Sequence, residues 1–126
     1  MRAIAAADLC LIPARPSPAD IEAAIPTLLA IRRQKRHFAF VLNQTPPRGV
    51  RLSEAATSLN ALGVLALPFV GQRNDHQDAL GTGLGVTEYA RGGKAAEEIH
   101  ALWSWIARKL GEEPLVHGQT AIRRAG

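Results

Sequence analysis

Apolar residues alternate along this chain between short continuous blocks and longer stretches spaced three or four apart. The first block, Leu9-Cys10-Leu11-Ile12, reads as a strand covered on both faces. Pro13 closes it, because proline brings no N–H to a sheet ladder. Ser17-Pro18-Ala19-Asp20 then opens a helix, with Ser17 as N-cap, Pro18 at the first helical position and Asp20 at the third. Ile21, Ala24, Ile25, Leu28 and Leu29 form one helical face to about Arg33, flawed by Pro26. His37 to Asn43 is a second apolar block and a second buried strand. A proline-rich loop, Asn43 to Gly49, leads into a helix over about Leu52 to Leu62, with Leu52, Ala55, Ala56, Leu59 and Leu62 inward. Gly63 stands where a left-handed helix cap belongs. Val64 to Val70 is a third strand, shortened by Pro68. Asn74 or Asp75 caps a short helix to Leu80, and Gly81, Gly83 and Gly85 mark a flexible connection. The last helix covers about Gly93 to Leu110, with Ala96, Ile99, Leu102, Trp103, Ile106 and Leu110 on its stripe and Gly111 beyond its end. In this phase Trp103 anchors the core and Trp105 falls off the stripe.

The order is thus βα, βα, βα, α. It predicts an α/β fold: a three-layer, mostly parallel sheet with flanking helices, and all strand-end loops on one side. Open sheets of this kind hold ligands at the carboxyl ends of their strands. The expected organisation is one α/β domain over residues 1–111 and a flexible tail over 112–126.

Composition narrows the class. With 126 residues and 47% apolar content the chain is a single globular domain rather than a disordered segment. A net charge of +4 favours a polyanionic partner. The basic run Arg32-Arg33-Gln34-Lys35-Arg36 suits a solvated helix C-terminus or a nucleic-acid contact. The lone Cys10 lies within an apolar block, so it reads as a small buried hydrophobe in a reducing, cytoplasmic setting. Asp8 and Pro13 break the N-terminal apolar stretch too early for a signal peptide. No run approaches the ~20 apolar residues of a membrane span.

Familiar chemical motifs fail. Gly81-Thr82-Gly83-Leu84-Gly85-Val86 follows no strand directly and lacks the third glycine of a dinucleotide loop. Gly92-Gly93-Lys94-Ala95 lacks the hydroxyl residue and the upstream glycine of a phosphate loop. His37, His76, His100 and His117 show no metal-ligand spacing.

The series of strand-end segments does carry a resemblance. Ala6-Ala7-Asp8, Ile12-Pro13, Pro16-Ser17-Pro18 and Asp20 come first, followed by Val41-Leu42-Asn43-Gln44. Leu67-Pro68, Arg73, Ala79, Gly83, Val86 and Glu88-Tyr89 follow, then Lys94 to Ile99 and Leu102. In this order, over residues 3 to about 110, the chain resembles the C-terminal half of ParA-type partition ATPases, relatives of MinD with a P-loop NTPase fold. The resemblance implies a dimeric ATP- and Mg²⁺-dependent switch that distributes plasmids, chromosomes or other cargo over the nucleoid with a partner partition protein. It implies cofactor contacts by Asn43, Gln44, Pro68 and Arg73 around the adenine base. It also implies DNA binding without sequence preference through Arg48, Arg51, Arg73 and Lys94. An amide suits adenine because it offers a donor and an acceptor; Asn43 equally suits a turn beside Pro46-Pro47, and the arginines equally suit a solvated surface.

The family's lysine-rich phosphate loop and Mg²⁺-organising aspartate match sequence upstream of Met1. The chain alone is therefore expected neither to hydrolyse ATP nor to hold it tightly, and to leave an open sheet edge. The alternative is a stand-alone DNA- or protein-binding α/β module without catalysis.

Overall fold

The computed structural model describes residues 2–117, with the side chains of 112–117 left aside. The elements run α1 (Arg2–Ala6), β1 (Cys10–Ala14), α2 (Pro18–Arg33), β2 (Phe38–Leu42), α3 (Val50–Leu62), α4 (Asn74–Thr82), α5 (Val86–Tyr89) and α6 (Lys94–His117). β1 and β2 pair in parallel, from Cys10 opposite Phe38 to Ala14 opposite Leu42.

Alternation along β2 builds three layers. Phe40 and Leu42 face α2 and α3, where they join Ile12, Leu28, Ile31 and Leu59 in the main core. Ala39 and Val41 face the other way, with Ala66, Val70 and Leu102, and Ile99, Trp105 and Ile106 of α6 pack against them. The expected α/β layering is therefore present, on a smaller sheet.

Three strands were expected, and two form among the described residues. The third segment still runs alongside β2. Phe40 N–H donates to Val64 O, Ala66 N–H to Phe40 O and Val70 N–H to Leu42 O, each at 2.8 Å. Between Ala66 and Val70 the ladder breaks at Pro68, which follows a cis bond from Leu67 and has no N–H to give. What remains of the strand is a bridge at Leu65 and another at Gly71.

β1 departs differently. It runs through Pro13 instead of stopping there. Cys10 N–H and Ala14 O both bond toward β2, so by alternation the Pro13 nitrogen faces the outer edge, where no donor is needed. Nor is β1 covered on both faces: Ile12 and Ala14 are buried, whereas Leu11 and Pro13 are exposed.

α2 matches its sequence signals. Ser17 Oγ accepts from Asp20 N–H at 3.2 Å, Pro18 opens the helix, and Pro26 is accommodated inside it. Leu29 turns outward and Ile31 takes its place in the core. Gly63 is not a left-handed cap, since its φ is 170°. Its glycine serves packing instead: a Cβ there would lie 2.5 Å from Phe38 Cζ. α1 was not foreseen, and it buries Ile4. The connection through Gly83 and Gly85 is ordered by α5 rather than loose, with Gly83 the left-handed cap of α4 at φ 78°.

The stripe of α6 is rotated from the expected one. Ala95, Ala96 and Leu102 are buried and Trp105 is half-buried, while Trp103 is 63% exposed. α6 also continues through a buried Gly111 to His117, because one interior glycine costs only about 1 kcal/mol against alanine. Of the expected tail, residues 118–126 lie outside the described residues. No helix among the described residues is long and apolar enough to cross a membrane.

Candidate functional site

Two loops meet at the carboxyl end of β2. Thr45, a buried polar residue, fastens them together. Its N–H and its hydroxyl both donate to Val70 O, at 3.0 and 3.3 Å, and its carbonyl accepts from Gln72 N–H at 3.0 Å. The segment Asn43-Gln44 therefore lies against Gly71-Gln72-Arg73, from which α4 departs at Asn74. Between them is a cleft of about 310 Å³. Five carboxamide residues line it, Asn43, Gln44, Gln72, Asn74 and Gln77, together with Gly71, Arg73 and His76.

Local geometry sets the first wall. Asn43 Oδ1 accepts from Gln44 N–H at 2.9 Å, and Gln44 adopts a left-handed φ of 53°. Asn43 thus makes the turn through its Oδ1, and no hydrogen bond from its side-chain NH₂ is present among the described residues.

The opposite wall is set from α6. Glu98 accepts from Arg73 Nε and Nη2, both at 2.9 Å, and from Gly71 N–H at 3.3 Å. Hydrogen bonding from Arg73 holds the Glu98 carboxyl below its usual range, against the upward push of partial burial. The same contact raises the Arg73 pKa further. The cleft's one cation is thereby neutralised, and its surface is polar but close to uncharged.

Asn43, Gln44 and Arg73 are thus brought together. Pro68 is half-buried on the interrupted segment and does not line the cleft. Arg48 is exposed in the loop before α3, and Lys94 is exposed at the start of α6. Arg51 is exposed on the first turn of α3 and borders a separate space of about 450 Å³ between α2 and α3, with Ser17, Ile21, Glu54 and Ser58. Sequence reasoning passed over Gln72, Asn74, His76, Gln77 and Glu98. The first four lie within four residues of Arg73 and were discoverable as a polar cluster; Glu98 lies 25 residues away, with no local signal joining it to Arg73.

The cleft is polar and lined largely by amides. Its neutral amides supply paired donors and acceptors, and His76 Nε2 is a buried atom with no partner. No group of three or more His, Cys, Asp or Glu among the described residues is placed to hold a metal.

The architecture defines a class, an α/β fold of the P-loop NTPase type. The chain superposes on the cell division ATPase MinD of Pyrococcus furiosus with a TM-score of 0.67 and 18% identity, over 81% of this chain and 43% of that one. No family model matches the sequence. The sequence is 35% identical over 102 residues to maintenance of carboxysome distribution protein A of Halothiobacillus neapolitanus, covering 75% of this chain and 47% of that protein. The chain therefore spans about half the length of that relative. These likenesses in sequence and fold support a ParA/MinD-type partial chain.

Proposed function

We propose that this chain supplies the adenine-side wall of the nucleotide site in a ParA/MinD-like ATPase, together with a face that binds DNA without sequence preference. The observation that carries the reading is the amide-lined cleft at the carboxyl end of β2, where open α/β sheets take ligands. In this reading Asn43 and Gln44 pair with the edge of the base, and the Arg73–Glu98 pair holds the facing loop in place. Pro68 shapes the segment behind that loop. ATP with Mg²⁺ supplies the reacting phosphates in the complete protein, which works as a dimer. These 126 residues hold no lysine-rich phosphate loop, so the chain alone does not turn over ATP.

The DNA face draws on Arg48, Arg51, Arg73 and Lys94, and serves a cytoplasmic, nucleoid-associated protein that positions a large cargo through a partner protein. The relative's name points to carboxysomes as one such cargo; plasmids and chromosomes are the others.

Titration of the 126-residue chain with AMP, read by amide NMR, tests the cleft. Saturable shifts at Asn43, Gln44 and Gln72, weakened in Asn43→Leu, are expected. AMP shifts confined to other surfaces refute the assignment, and measurable ATP turnover by the chain refutes its inactivity. The exposure of Arg48 and Arg51 also supports a second reading, a stand-alone DNA-binding module. That reading predicts retardation of random duplex DNA with no response to nucleotide.

A further inference from the structure

We infer that His76 contacts the ligand in the cleft, its Nε2 taking a hydrogen-bond partner from the six-membered edge of the base. This rests on the reading of the cleft as a nucleoside site. His76 sits in the first turn of α4 and lines the cleft. Its Nε2 is the one buried side-chain nitrogen or oxygen among the described residues with no hydrogen-bond partner. Such atoms are otherwise satisfied: the Thr45 hydroxyl, for example, reaches Val70 O. An unpaired buried imidazole nitrogen is unfavourable until something pairs with it.

The neighbouring groups do not provide that partner. Arg73 directs Nε and Nη2 to Glu98. The Glu98 oxygens accept from Arg73 and from Gly71 N–H. Asn43 Oδ1 is occupied by Gln44 N–H. No described group pairs with Nε2, and an occupant of the cleft can supply the partner. The residue as a whole is partly exposed while Nε2 itself is buried; the contact therefore requires the ring to rotate about χ2, and the gain of a partner favours that rotation.

The lining selects the occupant's chemistry. A phosphate calls for free cations, and the cleft's arginine is already paired. Five carboxamides beside an imidazole instead suit an uncharged ring edge with a donor next to an acceptor. Adenine presents such an edge, an exocyclic amine beside a ring nitrogen, and an imidazole nitrogen accepts from the amine.

NMR titration of the 126-residue chain with AMP and with IMP, which replaces the amine by a carbonyl, tests the inference. The Cε1–H resonance of His76, identified by its loss in His76→Phe, is followed with the backbone amides. A saturable shift of this resonance with AMP is expected. His76→Phe should weaken AMP about tenfold and remove the preference for AMP over IMP, while His76→Gln should restore part of both. If Asn43 and Gln72 shift but His76 does not, and His76→Phe binds normally, the role of His76 is overturned and the cleft assignment survives. Equal losses for AMP and IMP move the contact to the ribose and overturn the base assignment. If AMP at millimolar concentration moves no cleft resonance, both readings fall. If His76→Phe does not fold, the loss of the same resonance in His76→Gln identifies the wild-type imidazole signal, whose response to AMP then decides the matter.

Discussion

The Arg73–Glu98 pair joins α6 to the loop that forms one wall of the cleft, so its removal should loosen both fold and site. Glu98 accepts two bonds from Arg73 at 2.9 Å and a third from Gly71 N–H at 3.3 Å. Hydrogen bonds to charged groups are worth about 1.5–3 kcal/mol each when shielded. Here the side chains are 35% and 22% exposed, so solvent screening reduces the pairwise coupling to about 1–2 kcal/mol in total. A double-mutant cycle of Arg73→Ala and Glu98→Ala, measured by urea unfolding at about pH 7, should return that coupling. Acid supplies an independent check. The folded pKa of Glu98 is depressed, so the unfolded chain binds its proton first as pH falls. The contribution is complete above the ordinary carboxylate range and disappears as pH drops through the depressed folded value. Wild type and Glu98→Gln should therefore differ near neutrality and converge in acid. A coupling below about 0.3 kcal/mol, or a Glu98→Gln deficit that persists in acid, would refute the assignment of this pair as the wall's support.

Gly63→Ala should destabilise by about 1–3 kcal/mol in urea unfolding, because the new Cβ collides with the Phe38 ring. The backbone there, at φ 170°, accepts alanine, so restoration by Phe38→Leu would show that the cost is steric. Trp103→Ala should change stability by no more than about 0.5 kcal/mol, whereas Leu102→Ala should cost about 2–5 kcal/mol. The reverse ranking would restore the stripe expected from sequence. Ser17→Ala should cost about 1 kcal/mol through loss of the bond to Asp20 N–H; no change would mean the cap is idle in solution.

What was legible depended on whether the deciding contact was local. α2 was readable to the residue because its signals, Ser17, Pro18 and Asp20, lie within one turn. β2 was readable because every residue from Ala39 to Leu42 is buried, whichever layer it faces. The phase of α6 was not. Leu102, Trp103, Trp105 and Ile106 are all apolar, and helical spacing admits two stripes among them; the position of Ala39 and Val41 selects the one holding Trp105. Gly63 was misread for the same reason, since its constraint comes from Phe38 and not from its own dihedral angle. At the site, Asn43, Gln44 and Arg73 were singled out by the family resemblance, and the strand-end positions alone left Asn43 equally a turn residue. Glu98 could not, because only the fold brings the first turns of α6 back to Gly71.

That pairing also divides the cations proposed for DNA. Arg48, Arg51 and Lys94 are exposed and make no ion pair among the described residues. Arg73 is committed to Glu98, so a phosphate would have to displace a carboxylate already held by two bonds. Exchanging one charge-assisted pair for another releases few counterions, whereas a solvated arginine that engages phosphate releases about 0.9 per contact on duplex DNA. Three free cations therefore predict a slope of log K against log salt near −2.7, and removing one should lower its magnitude by about 0.9. Retardation of random duplex DNA at graded salt measures this directly. Arg48→Gln or Lys94→Gln should flatten the slope, and Arg73→Gln should leave it unchanged while weakening AMP in the cleft. A flatter slope in Arg73→Gln would mean that Arg73 leaves Glu98 on binding, and would place it on the DNA face rather than in the wall of the cleft.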